Sequence, residues 1–161
     1  MNITLLQIGK TKHPFFAEAE KEYAKRLGPY VKLDVVTLKE AELPKGDIDA
    51  GRKWVKEKEG KEILTRVDLR AGDVVLALDE KGKEYTSLSF ARLLDSFRDS
   101  GTPDLTFIIG GCYGLADEVL QKAHRKIALS QLTFTHEMVR TILLEQLYRA
   151  FTILKGKTYH Y

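Results

Sequence analysis

Leu105-Thr106-Phe107-Ile108-Ile109-Gly110-Gly111-Cys112-Tyr113-Gly114 is the stretch on which the fold turns. Apart from Thr106 its first five residues are apolar, and all favour extended backbone, so they read as a strand covered on both faces, the habit of parallel sheets lying under helices. The glycines permit a tight turn, and a helix near Asp117 to His124 follows. In open α/β sheets a junction of strand, glycine turn and helix is a usual ligand position, because glycine lets the backbone approach a ligand and N–H groups point outward. A plain turn that needs positive φ explains the same glycines about equally well.

The same alternation runs outward from this turn. Upstream, Ile3 to Ile8 is a buried strand, and Pro14 opens a helix carrying Phe15, Ala19, Tyr23 and Leu27 at four-residue spacing until Gly28-Pro29. Val31 to Leu38 is a strand, Lys39 to Asp49 a polar loop, and Gly51 to Val67 a heavily charged helix, a profile that usually means solvation. Asp73 to Leu78 is the third strand, Lys81-Gly82-Lys83 reads as a turn, and Ser87 or Ser89 caps a helix that runs to Gly101. Downstream, a strand near Ile127 to Leu132 precedes a helix from His136 to Leu154 that is apolar on more than one face. One face can meet the sheet and the other needs a second subunit or another helix, so a homodimer is expected. The order implies an α/β fold with a mainly parallel sheet flanked by helices.

Composition narrows the class. The chain has 161 residues, 43% hydrophobic and 30% charged, with 26 Lys and Arg against 23 Asp and Glu for a net charge of +3. That excludes disordered and fibrous chains and suits one domain over residues 1–161. The single Cys112 closes no intrachain disulfide, which points to a cytoplasmic setting, and one Cys with four scattered His gives no metal-ligand spacing. No stretch suggests a signal peptide or a membrane span.

Chemistry concentrates in the last third. There is no G-x-G-x-x-G, P-loop or G-x-S-x-G, which weakens dinucleotide, NTP and hydrolase readings. Cys112 has no cationic neighbour in sequence to activate it. His136 falls at a helix start, where an imidazole caps or meets a ligand. Arg140, Glu145, Gln146 and Arg149 interrupt an apolar helix and need partners or a ligand, since burying such groups costs several kcal/mol unless each is paired. Arg52, Lys53, Lys56, Arg149 and Lys155 are read as one basic surface for RNA backbone. A nucleotide-dependent enzyme and a non-catalytic RNA-binding or ribosome-associated module both remain compatible with these residues.

Ile108-Ile109-Gly110-Gly111-x-x-Gly114-Leu115, Ala128-Leu129-Ser130-x-Leu132-Thr133-Phe134-x-His136, Glu145-Gln146-x-Tyr148-Arg149-Ala150 and Tyr159-His160 resemble, in order and spacing, the ribosomal RNA large subunit methyltransferase H family, minimal enzymes of the SPOUT class. The resemblance spans essentially the whole chain, with Lys25-Arg26-Leu27, Lys58-Glu59-Gly60 and Leu78-Asp79-x-x-Gly82-Lys83 as earlier matches. It implies a SPOUT-like fold with a C-terminal trefoil knot, a homodimer, and S-adenosylmethionine as methyl donor. It also implies methylation of a pseudouridine N3 in the intersubunit stem-loop of 23S rRNA on assembled ribosomes. The donor would then contact Leu78, Gly110, Leu129, Ser130, Gln131, Leu132, Thr133 and Phe134. Tyr159, His160 and Arg149 would orient or deprotonate the target base, with no metal.

Overall fold

The computed structural model describes residues 1–67 and 73–160. Along the chain run β1 (Asn2–Ile8), α1 (Pro14–Leu27), β2 (Lys32–Leu38), α2 (Ile48–Arg66), β3 (Val74–Glu84), α3 (Ser87–Asp99), β4 (Asp104–Ile109), α4 (Asp117–Lys122), β5 (Arg125–Ala128) and α5 (His136–Leu154). The strands form a five-stranded sheet in the order β2-β1-β4-β3-β5, and every neighbouring pair is parallel. This is the α/β architecture that the alternating sequence implies.

Period two divides each strand between two cores. Ile3, Leu5, Leu105, Phe107 and Leu76 face one side with residues of α1, α3 and α5, while Leu6, Ile8, Ile108, Val75 and Ala77 face the other with Ile63 of α2 and Val119 of α4. Helices on both faces explain why the central strands carry so little polar sequence. α5 packs against both α1 and α3. Leu143, Leu144, Leu147, Ala150 and Phe151 are buried, and Val139, Tyr148, Ile153 and Leu154 pack against the same cluster. The second apolar face of this helix, expected to need a second subunit or another helix, is met largely by helices of the same chain; of its large apolar side chains only Met138 is exposed, at 38%.

Three boundaries differ from the sequence reading. α2 starts at Ile48 instead of Gly51, because the Asp47 carboxylate caps it by accepting from Ala50 N–H at 2.7 Å. Lys81-Gly82-Lys83 is not a turn between elements: β3 continues through it to Glu84 with a register shift, since Ile127 opposes both Leu78 and Lys83. A Cβ on Gly82 would lie 2.6 Å from Ile127 N, so glycine serves close strand contact here. β5 is Arg125–Ala128, and residues 129–134, of which 129–132 are expected as strand, form a loop. That loop spends its polar groups on side chains instead of on a ladder.

Candidate functional site

The carboxyl ends of β3, β4 and β5 converge at one sheet edge. Ala77 pairs with Ile108 and Leu78 with Ile127, so Leu78, Gly110 and the 129–134 loop, grouped by the family resemblance, lie near one another. The glycine turn is closed by Gly114 N–H donating to Gly111 O at 3.1 Å, with Gly114 at φ +80°. A Cβ on Gly110 would sit 2.8 Å from Gly114 C, so the need for glycine at 110 comes first from the turn's own backbone. Ser130 Oγ accepts from Leu132 N–H at 3.0 Å. Gln131 Nε2 donates to Glu84 at 3.2 Å and Thr133 Oγ1 to Glu80 at 2.7 Å, lacing the loop to the far half of β3. Leu129, Ser130 and Phe134 are half-buried, whereas Leu132 is 72% exposed, an apolar surface suited to a flat heteroaromatic ring.

α5 begins at this same edge. Thr135, not His136, caps it by accepting from Met138 N–H. Burial, and then the neighbouring Arg140 charge, lower the His136 pKa, so its imidazole is neutral at pH 7. Arg140 is fully buried and donates to Thr11 Oγ1 at 3.0 Å and to the Ile8 carbonyl at the end of β1. Thr11 donates to Glu20 at 2.8 Å, and Glu137 accepts from His13 N–H at 3.1 Å. The polar residues interrupting α5 therefore do have partners. Gln146 accepts from Ser87 at 3.3 Å and donates to Glu145 at 2.6 Å.

The tail folds back on the other end of α5. Arg149 pairs with Glu145, Tyr159 OH donates to Glu145 at 3.2 Å, and the Tyr159 ring lies 4.7 Å from Tyr148 and 4.8 Å from the Arg149 guanidinium. Burial, with Tyr23 and Glu145 beside it, raises the Tyr159 pKa, keeping the phenol a neutral donor. His160 carries a buried Nδ1 without a partner among the described residues, outside which Tyr161 lies. α5 has 19 residues and is thus about 27 Å long. Arg149, thirteen residues beyond His136, is about 20 Å from the helix start along the axis. Arg149, Tyr159 and His160 are not brought to the 129–134 loop of the same chain. Nor do the basic residues form one surface: Arg52, Lys53 and Lys56 lie on α2 over one sheet face, and Arg149 and Lys155 belong to the end of α5 over the other.

Two structural roles escaped the sequence reading. Glu59 of α2, taken as part of a solvated face, is only 3% exposed; one oxygen accepts from Ala41 N–H at 3.0 Å, and a Cβ on Gly111 would meet the other at 2.7 Å. Its neighbour Gly60 was the available signal, since a glycine inside a helix marks close packing, and a Cβ there would lie 2.7 Å from that of Ala116. His124 is an acceptor for Val75 N–H at 3.0 Å. Burial and the carboxylates of Glu40 and Glu59 raise the Cys112 pKa, the opposite of an activated thiol.

Among the described residues no group of three His, Cys, Asp or Glu side chains could hold a metal ion, and no helix is long and apolar enough to cross a membrane. The chain was compared with known proteins. Solved structures of a probable methylase family protein from Haemophilus influenzae Rd KW20 (TM-score 0.57, 15% identity, 99% of this chain and 70% of that one) and of a probable methyltransferase from Bordetella pertussis Tohama I (0.54, 14%, 93% and 96%) share the fold. Proteins named ribosomal RNA large subunit methyltransferase H are 44% identical in Pelotomaculum thermopropionicum and 42% in Clostridium beijerinckii, each over 99% of both chains. A family model described as predicted SPOUT methyltransferase matches residues 1–160. With the parallel sheet and glycine turn in place, this chain belongs to the SPOUT methyltransferases, within the ribosomal RNA large subunit methyltransferase H family.

Proposed function

We propose that this chain is an S-adenosylmethionine-dependent enzyme that methylates N3 of a pseudouridine in the intersubunit stem-loop of 23S rRNA on assembled ribosomes. We further propose that it is one cytoplasmic methyltransferase domain over residues 1–161, with a C-terminal trefoil knot, acting as a homodimer. The observation that carries the reading is the convergence of Leu78, Gly110 and the 129–134 loop at one sheet edge, in a chain that matches methyltransferases end to end.

The residues present fit the donor. Half-buried Leu129 and Phe134 with exposed Leu132 offer apolar contact to adenine, and Ser130, Gln131 and Thr133 complete the loop. When bound, S-adenosylmethionine supplies an electrophilic methyl group. The protein must then align the target nitrogen and accept the imide proton. His136, neutral and beside the loop, and His160, with its open Nδ1, are the two imidazoles able to accept it. Because Tyr159 is held at Glu145, about 14 Å along α5 from His136, and Arg149 lies about 20 Å along it, Tyr159, His160 and Arg149 act on the donor site of a second copy. That separation supports the dimer reading, in place of the apolar faces of α5. Incubation with ribosomes and methyl-labelled donor should label 23S rRNA at one pseudouridine. Absence of transfer to ribosomes overturns the reading.

A further inference from the structure

The sheet order β2-β1-β4-β3-β5 sends the chain one way from β1 to β2 and the other way from β4 to β5, so β1 and β4 flank a switch point. Open α/β sheets place ligands in the crevice at such a point. The donor residues lie to one side of the glycine turn, at the ends of β4, β3 and β5. On the other side, at the ends of β1, β2 and β4, is a cavity of about 680 Å³ that the donor residues do not line. Its walls include Lys10, Lys12, Lys39, Glu40, Cys112 and Tyr113.

Lys10, Lys12 and Lys39 face Glu40 and Glu42 in these walls, a small cationic surplus that is unevenly spent. Lys12 pairs with Glu40 at 3.1 Å, while Lys10 and Lys39 are exposed and in no ion pair among the described residues. Arg52 of α2 stands 5.8 Å from the centre of the Tyr113 ring, placing a guanidinium beside a half-buried aromatic at the cavity wall. Just behind Ala41 and Gly111 sits the buried Glu59 carboxylate, with one oxygen unpartnered. Ammonium groups for phosphate, an aromatic face for a base and a volume of this size match one nucleotide of a single strand. A neutral metabolite would leave Lys10 and Lys39 unused, and a carboxylate ligand would leave the aromatic wall without a role.

We infer that this cavity is an RNA subsite, which holds a phosphate-bearing nucleotide of the substrate strand on Lys10, Lys39 and Tyr113, across the glycine turn from the methyl donor. The inference rests on the methyltransferase reading and deepens it. The glycine turn contributes Cys112 and Tyr113 to the cavity and Gly110 to the proposed donor side, so a nucleotide in the cavity holds its strand next to the donor without displacing it. The three elements that build the cavity rim lie outside the 129–134 loop, which leaves substrate and donor affinities separable by mutation.

The test is the double variant Lys10→Ala/Lys39→Ala, both positions being exposed. In methyl transfer to ribosomes its KM should rise at least about tenfold while calorimetric S-adenosylmethionine affinity is unchanged. The slope of log KM against log salt should fall by about 1.5, the loss of two phosphate contacts. An unchanged KM overturns the inference. Weakened donor affinity also overturns it, since the cavity would then belong to the donor site. If the wild-type protein transfers no methyl group, the methyltransferase reading fails separately. Filter binding of a single-stranded oligoribonucleotide then decides the cavity: salt-sensitive binding weakened by the double variant supports the subsite, and binding that is absent or indifferent to the variant overturns it.

Discussion

Arg140 is the side chain whose removal the structure prices most directly. It is fully buried, and its guanidinium joins three segments: α5, the Thr11 hydroxyl in the loop after β1, and the Ile8 carbonyl at that strand's end. Burial lowers its pKa, and Glu20, Glu137 and Glu40 hold the charge in place. Arg140→Met keeps most of the volume and removes the donors. Each charged-donor bond lost costs about 1.5 kcal/mol, giving about 3 kcal/mol; if the carboxylates are left uncompensated the cost rises to about 5 kcal/mol. For a chain of this size, 3 kcal/mol is a drop in melting temperature of about 6–12 °C. Arg140→Lys keeps the charge but cannot fork to two acceptors, so it should fall about midway. Urea unfolding with a common m-value measures both. A loss below about 1 kcal/mol for Arg140→Met would show that the network is incidental to stability.

Glu59 gives a pH prediction. Burial raises its pKa, with Glu40 adding to the shift and the Ala41 N–H opposing it. A carboxyl whose folded pKa lies above its unfolded value contributes stability at low pH that is lost as pH rises through the folded pKa. The stability of Glu59→Gln relative to wild type should therefore improve from pH 4.5 upward, as followed by urea melts; a pH-independent difference refutes the assignment. Gly82→Ala forces a Cβ to within 2.6 Å of Ile127 N and should cost about 1–3 kcal/mol, and a variant as stable as wild type removes the close-contact argument. Deleting residues 159–161 should abolish transfer to ribosomes and leave donor affinity intact, so full turnover by the truncated chain refutes a role for the tail. Light scattering should give twice 18.3 kDa, and a dilution-independent mass of 18.3 kDa refutes the dimer.

Strand and helix order was legible because burial on both faces of a parallel sheet leaves continuous apolar runs such as Leu105 to Ile109, and because Pro14 and Gly28 punctuate α1. What local pattern cannot carry is contact between distant segments. Lys81-Gly82-Lys83 has turn composition, yet its glycine is there because the backbone at Lys126 and Ile127 approaches it. Residues 129–132 have strand composition, yet the ladder with β3 stops at Ala128, and beyond it the side chains of Gln131 and Thr133 bond to Glu84 and Glu80. Glu59 looked like one more charge on a solvated helix, because periodicity reports which residues are apolar and not which charged one faces inward. The positions proposed for the donor were legible only through likeness to a family, and the sheet register brings Leu78 near Gly110.

The length of α5 makes the remaining step in the argument. At its start, Arg140 ties the helix to the end of β1, and the loop feeding it comes from the end of β5. At its finish, Tyr148 and Phe151 pack near Tyr30 at the opposite end of the sheet, just before β2 begins. A rigid helix fixed at both ends cannot bring Tyr159 to the loop that precedes His136, and the ion pair and aromatic contacts holding Tyr159 to Glu145 and Tyr148 oppose a swing of the tail. In the proposed dimer, whatever Tyr159 and His160 do to a base beside the donor is done across the subunit boundary. Mixing a chain deleted of residues 159–161 with a chain disabled at the 129–134 loop should therefore restore transfer through hybrid dimers, up to about half of the wild-type rate per hybrid, since one of the two sites is whole. Equal mixtures that stay inactive while exchanging subunits would place the tail at its own chain's site and require it to leave α5.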